Sequence, residues 1–396
     1  MKIGILTHHW VFNYGANLQT LSTVSFLKNH GHTPYVINWV QEDAEHTYLS
    51  SHRQEMIDMF HQFQRVYYPL TDLCRNAKDI AEVIKKYGIE IVIIGSDTVF
   101  MLHNRRFSIR KWKYSEPTSE SIFPNPFWGE FLDYGVDIPV IAYSAATLDI
   151  KLSSYKKQRD YIGSYLRRFK HISTRDQFTS DMVAYFTRND IVPEITPDPV
   201  FSFNTNYPQS ITREEFITKY NLPERYWLVC FSESNREKVY DWVMRLRSLA
   251  NHFNFELVEL PRQTGERLFD IRQVGGVINP LEWYNMIRFS NGYVGQLMHP
   301  IVISIHNGVP FYSLDYYGSR HLRGLMIDHT SSKTWQVIRQ VHQEGHYKNV
   351  AGYLCNLPDV SKVVSSLVDI ENNSEMRQVM NERSYKAMNE LLGMIS

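Results

Sequence analysis

The sequence predicts an α/β protein of two doubly wound, parallel-sheet domains whose sheets face across a cleft, followed by a C-terminal helix. Three observations carry this expectation. Short continuous β-branched runs alternate with helix-length segments from the first residues onward, the pattern that a parallel sheet covered on both faces requires. The alternation breaks near residues 202 to 212, where "PDPVFSFNTNYPQSIT" clusters Pro, Asn and Ser, and then starts again. The chain has 396 residues, 43% of them hydrophobic, which is too much for one small domain. The expected division is 1–205, 206–370 and a helix over 371–396.

In order, "KIGILT" reads as a strand and "ANLQTLSTVSFLKNHG" as a helix closed by Gly31. "TPYVINWV" is a strand, "DLCRNAKDIAEVIKKYG" a helix closed by Gly88, and "IEIVIIG" a buried strand. "IPVIAYSA" and "HISTR" are strands, with "KKQRDYIGSYLRRFK" and "DQFTSDMVAYFTRN" as helices. Past the break, "YWLVCFSES" and "NFELVELP" are strands around the helix "NREKVYDWVMRLRSLANHF". "NPLEWYNMIRFS" is a helix, and "NGYVGQ" and "VPFYSLD" are strands. Between these last two, Pro300 suits a helix start, Gly308 its end, and "IVISI" a buried helix, which puts His299 at the cap position. Ligands of such folds collect at the carboxyl ends of the strands.

Lys plus Arg and Asp plus Glu balance at 42 each, so no global field draws the chain onto nucleic acid or an anionic membrane. Cys74, Cys230 and Cys355 lie far apart, with no CxxC pair, which fits a reducing compartment. The start "MKIGILTHHW" lacks the hydrophobic region of a signal peptide, and no run reaches membrane-spanning length. A cytoplasmic protein follows, with at most peripheral contact at the inner membrane face.

The phosphate loop, the dinucleotide fingerprint and the hydrolase elbow are missing. "HQEGH" spaces His342 and His346 four apart, but its glutamate is misplaced for a zinc helix. His8 and His9, adjacent after the first strand, point to opposite sides, so no metal is expected there. The first strand–helix junction offers Asn13, Tyr14 and Gly15, with Asn17 and Gln19 in the helix that follows. These suit sugar hydroxyls or anions, and equally a tight turn with a cap. "IEIVIIGSDTVF" presents Gly95, Ser96 and Asp97; Asp97 serves either as a general base or as a cap.

"NYGANLQTLSTVSFLKNHGHTPYVINW", "IVIIGSDTVF", "IPVIAYSAATLD", "ISTRDQFTSDMV", "TPDPVF" and "MHPIVISIHNGVPF" occur in an order and spacing that resembles the polysaccharide pyruvyl transferase family, over most of residues 1 to 330. The resemblance implies two Rossmann-like domains of GT-B type and transfer of pyruvate from phosphoenolpyruvate onto a sugar as a ketal. Phosphoenolpyruvate is then a co-substrate, and no cofactor is required. Arg175 matches the family's arginine after "IS", His299 its histidine, and Arg320 resembles the arginine of its "SR" pair. Leu297, Met298 and Pro300 stand where the family has polar or glycine neighbours of that histidine, and Thr98 and Phe100 replace Gln and Trp.

The implied roles are His299 as phosphate contact or proton donor and Arg175 as clamp on an anionic group, with Arg320 also on the donor. Asp97 joins them in catalysis, and Asn13, Tyr14, Gly15, Gln19 and Ser96 face the acceptor. On composition alone, Arg175 would instead pair with Asp176 or Asp198. Between residues 103 and 131, Arg105, Arg106, Arg110, Lys111 and Lys113 interleave with Phe107, Trp112 and Tyr114. This is a solvated basic insertion or a grip on a lipid-diphosphate-linked saccharide. Two rival readings stand beside pyruvyl transfer to a surface or capsular polysaccharide precursor: a glycosyltransferase using a nucleotide sugar, and a carbohydrate-binding protein without catalysis.

Overall fold

The computed structural model describes residues 1–103, 106–108, 113–115, 117–148, 150–321, 326–351, 356–368 and 372–395. It divides into two compact units. The first comprises Met1–His52, Phe60–Pro199 and Lys386–Ser396, the second Arg53–Met59 and Val200–Tyr385. The division at Pro199 falls a few residues before the composition break, and the last helix is shared out rather than set apart.

The first unit runs β1 (Lys2–Leu6), α1 (Tyr14–Asn29), β2 (Thr33–Val36), α2 (Glu42–Ser51), the part of α3 (Gln54–Tyr67) from Phe60 on, α4 (Ala77–Tyr87) and β3 (Ile91–Ile94). It continues through a hairpin of β4 (Arg106–Ser108) and β5 (Lys113–Ser115) to β6 (Val140–Ala145), α5 (Arg159–Leu166), β7 (His171–Thr174), α6 (Gln177–Phe186) and β8 (Glu194–Ile195). Its sheet has the order β2-β1-β3-β6-β7-β8, and every pair in it is parallel. All of β3 and β6 is buried, as a central strand covered on both faces must be.

α4 shows how the sequence fixes an element. Asn76 caps it by accepting from the Asp79 amide at 3.0 Å, and Gly88 closes it in the left-handed region. Between them Ile80, Ala81, Val83 and Ile84 supply the buried face. The helix expected around residues 156–170 is shorter, a 3₁₀ stretch over Leu152–Gln158 leading into α5. The strand expected over residues 33–40 ends at Val36 and goes on only as bridges to Leu70 and Cys74.

The second unit contains α7 (Phe203–Asn206), α8 (Arg213–Tyr220), β9 (Tyr226–Cys230), α9 (Arg236–His252), β10 (Glu256–Glu259), β11 (Arg272–Gln273), α10 (Pro280–Arg288), β12 (Tyr293–Gly295), α11 (Met298–Asn307) and β13 (Phe311–Asp315). Beyond these lie β14 (Ser319–His321), β15 (Met326–Asp328), α12 (Lys333–Gln340), β16 (Tyr347–Asn349), α13 (Val360–Val368) and most of α14 (Asn372–Ile395). Its parallel sheet has the order β11-β10-β9-β12-β13-β16. Each sheet reverses its winding once, between β1 and β3 in the first unit and between β9 and β12 in the second. Those switch points are where open α/β sheets leave a crevice at the strand ends. No described helix is long and apolar enough to cross a membrane. Cys74 and Cys230 are buried free thiols, and Cys355 lies outside the described residues.

Candidate active site

At the switch point of the first unit, the chain leaving β3 turns sharply. Gly95 has φ 116°, and a side chain there would meet the Tyr143 carbonyl oxygen at 2.4 Å. Asp97 follows at φ 78°, a left-handed conformation that costs a non-glycine residue ~1 kcal/mol or more. It is held there by its carbonyl, which accepts from the Ala146 amide at 2.8 Å. Ser96 is fixed on both sides: its hydroxyl donates to the Ser144 carbonyl at 2.9 Å, and its own carbonyl accepts from Thr7 Oγ1 at 3.0 Å.

Arg175 leaves the end of β7 and is buried, with only 2% exposure. Its guanidinium lies 3.1 Å from Asp198 and 3.7 Å from Asp97, and Gln19 Nε2 donates to the same Asp198 oxygen. Burial works against this charge, but Asp97, Asp198 and Asp176 outweigh it and hold the guanidinium above its ordinary pKa. Gln19 Nε2 also reaches Ser96 Oγ at 3.5 Å. Four of the expected residues, Gln19, Ser96, Asp97 and Arg175, thus converge on one network, joined by Asp198. The pairing with Asp198, which composition favoured, is present. Among the described residues this network sets one cation, Arg175, against the carboxylates of Asp97 and Asp198, a net negative balance that engages Arg175 within its own chain.

Other expected acceptor residues have different surroundings. Asn13 is the cap of α1 and accepts from the Ala16 amide at 3.2 Å. Tyr14 packs against Phe60 with ring centroids 5.2 Å apart, and Gly15 is buried in the first turn of α1. His8 and His9 diverge as expected. His9 Nε2 meets Asn38 Oδ1 at 3.1 Å, whereas His8 faces the Thr98 carbonyl at 3.4 Å and Glu120 at 3.7 Å. His342 stands at φ 54° and His346 bonds the Phe311 carbonyl, so the two share no helix face.

At the switch point of the second unit, Asn235 Nδ2 donates to Gln296 Oε1 at 3.0 Å and to Ser232 Oγ at 2.9 Å. α11 begins here, and its position corrects the sequence reading. Leu297, extended at φ −86° and ψ 136°, is the N-cap, and His299 and Pro300 both lie inside the first turn. Proline is tolerated there because the first amides of a helix have no partner within it, so the helix starts two residues earlier than Pro300 suggested. As a leucine, the N-cap residue brings no side-chain cap to this turn. His299 is buried, and the helix behind it is buried through His306 and closed by Gly308 at φ 71°, as expected.

Sequence reasoning missed Arg262, just past the end of β10. Its Nε is buried with no hydrogen-bond partner among the described residues, while Nη2 donates to the Glu266 carbonyl at 3.0 Å. Position after a strand end was its only signal, in a loop otherwise polar. Arg320 lies on β14, but its side chain, like those of the basic insertion at 104–116, is outside the described residues.

The fold is shared with solved epimerases and a glycosyltransferase. The UDP-N-acetylglucosamine 2-epimerase from Neisseria meningitidis, solved with UDP-N-acetylglucosamine, aligns over 100% of this chain and 99% of its own at 11% identity and TM-score 0.56. The epimerase from Rickettsia bellii aligns over 100% and 95% at 10% identity and TM-score 0.54. The spinosyn rhamnosyltransferase SpnG aligns over 100% of both chains at 9% identity and TM-score 0.53. At such identities the likeness speaks to the two-domain GT-B fold alone. Among curated proteins no sequence match is found. Residues 13–318 match the family described as polysaccharide pyruvyl transferase, a stretch that includes Gln19, Asp97, Arg175, Asp198 and His299, and the chain belongs to that family.

Proposed function

We propose that the protein transfers the pyruvyl group of phosphoenolpyruvate onto two hydroxyls of one sugar in a surface or capsular polysaccharide precursor, giving a ketal and inorganic phosphate. C3 of the enol takes a proton and becomes a methyl group, and C2 becomes oxocarbenium-like. Two sugar oxygens bond to C2 while its bond to the phosphate oxygen breaks. Of the two hydroxyl protons released, one balances that taken by C3 and one leaves with phosphate. The step needs no oxidant and no cofactor. A cytoplasmic setting, where phosphoenolpyruvate is made, belongs to the same proposal.

The observation that carries the assignment of roles is the buried network of Asp97, Arg175, Asp198 and Gln19. A net negative cluster repels phosphoenolpyruvate and suits a hydroxyl, so the acceptor belongs to the first unit, with Asp97 as general base. Arg175 is then a positioning residue whose guanidinium, 3.7 Å away, holds Asp97 in place. The anionic donor belongs to the second unit. There the first turn of α11 offers the positive end of a helix, His299 a proton donor, and Arg262 a cation, with Arg320 as a further one.

The test is incubation with phosphoenolpyruvate and a panel of glycans, reading phosphate release and the gain of a pyruvyl ketal on the sugar by mass. Asp97→Asn and His299→Ala should each abolish both signals. Protection from proteolysis by a nucleoside diphosphate and not by phosphoenolpyruvate would favour a nucleotide-sugar glycosyltransferase instead.

A further inference from the structure

The first unit holds a cavity that none of these roles uses. It has a volume of about 270 Å³ and is walled by Trp10, Phe12, Tyr48 and Leu70, with Asn38 and Gln64 as polar lining. Trp10 and Phe12 come from the segment that leaves β1, Asn38 from the segment that leaves β2, so the cavity opens at the same end of the sheet as Asp97. Trp10 and Tyr48 meet edge to face with centroids 5.1 Å apart, and Phe12 lies 5.8 Å from Tyr48. Gln64 is 6% exposed, and its Nε2 is buried with no hydrogen-bond partner among the described residues. A buried amide donor left unpaired is costly, and a ligand oxygen would recover that cost.

We infer that this cavity is a second sugar subsite, taking one neutral pyranose ring of an acceptor that is at least a disaccharide. Aromatic faces with a few planar amide groups are the lining that an uncharged, hydroxyl-bearing ring needs. The charged groups at the wall are committed elsewhere or outside: Glu45 is ion-paired with Arg75 at 2.6 Å, and Arg65 is exposed. Ligand pockets for drug-sized molecules run to roughly 300–1,000 Å³, so this one holds a single ring rather than a nucleotide. Tyr48 stays a neutral phenol, its pKa pushed up to about 12 by burial and then by the charges of Glu120 and Asp97. The lining segments leave the ends of β1 and β2, and β1 adjoins β3, which Asp97 follows, so the subsite lies beside the acceptor position. Neighbouring strands are ~5 Å apart, so the step from the end of β3 to the ends of β1 and β2 is one that adjacent sugars of a chain can span.

This inference rests on the assignment of the acceptor to the first unit, and its test separates the two. The full chain is titrated with glucose, galactose and N-acetylglucosamine, and with cellobiose, lactose and N,N′-diacetylchitobiose, by saturation-transfer NMR. The same sugars are assayed for phosphate release from phosphoenolpyruvate. At least one disaccharide should bind through both rings, and Trp10→Ala and Gln64→Leu should each weaken it tenfold or more while leaving monosaccharide binding unchanged. Gln64→Leu is near in volume and removes only the unpaired amide, so a folded variant is expected, checked by circular dichroism. Disaccharide binding that depends on Trp10 and Gln64 without phosphate release keeps the subsite and removes pyruvyl transfer. Phosphate release with an unchanged disaccharide KM in Gln64→Leu keeps the transfer and removes the subsite, as does failure of every disaccharide to bind.

Discussion

Both units are built on six-stranded parallel sheets, with two strands on one side of the switch point in the first and three in the second, and they fix their candidate catalytic groups by opposite means. In the first, Asp97 is held at the strand ends by charge, through Arg175 and onward to Asp198 and Gln19. In the second, His299 sits at one end of α11 while the other end is anchored by neutral hydrogen bonds. His306 Nδ1 donates to Asn381 Oδ1 at 2.9 Å, and its Nε2 accepts from the Asn204 amide at 3.3 Å. Asn204, Asn307 and Tyr284 close a ring of bonds beside it, at 2.8, 2.8 and 3.0 Å. A charged network stands on burial and pairing and fails when one partner is removed. A neutral one fails when a proton is added. A parallel sheet thus holds the proposed acceptor-side group in one unit and the proposed donor-side group in the other, each protected against a different insult.

The largest effects should come from the two groups themselves. Asp97→Asn and His299→Ala are each expected to lower phosphate release from phosphoenolpyruvate by roughly 10²–10⁴-fold, the range of a general acid or base. Either variant with unchanged turnover would remove its residue from the mechanism. Next, Asp198→Ala removes the carboxylate 3.1 Å from the buried Arg175 and should cost about 3–5 kcal/mol in urea denaturation. A loss under ~1 kcal/mol would mean that the network is not held by charge.

The neutral side is tested by acid. Burial lowers the His306 pKa from 6.5 to about 4. Below pH 6.5 the unfolded chain takes up a proton that the folded chain refuses until about pH 4. Stability is thus full above pH 6.5 and falls by ~3 kcal/mol across that window as the pH drops. His306→Gln, which cannot titrate, should flatten this part of the stability profile; an unaltered slope would show that His306 is not its source. The smallest effect separates a cap from an acceptor contact. Asn13→Ala should cost ~1 kcal/mol of stability, whereas Asn13→Ser, which keeps a cap oxygen, should restore it with the acceptor KM unchanged. A raised KM in the serine variant would return Asn13 to the acceptor.

What the sequence made legible follows from where each signal lies. The buried strands Ile91–Ile94, Val140–Ala145 and Tyr226–Cys230 are continuous apolar runs and were plain. α3 was passed over although Met56, Ile57, Phe60 and Phe63, all buried, have helical spacing that could have found it. The start of α11 was misplaced because proline is tolerated anywhere in a first turn, and only the extended backbone at Leu297 settles where the turn begins. Of the site, Asp97 and Arg175 were legible as residues but not as partners. They leave different strands of one sheet, and only the order β3-β6-β7 brings their ends together. Arg262 had no pattern to announce it.

The central claim is that the net negative network of the first unit serves a sugar acceptor in pyruvyl transfer. Mass spectrometry of a glycan panel incubated with phosphoenolpyruvate and the wild-type chain, alongside Asp97→Asn, tests it most directly. The account predicts one added pyruvyl ketal per modified sugar with equimolar phosphate in the wild type, and neither in the variant. Glycans left unchanged by phosphoenolpyruvate but extended by a nucleotide sugar, or equal product from Asp97→Asn, would contradict it.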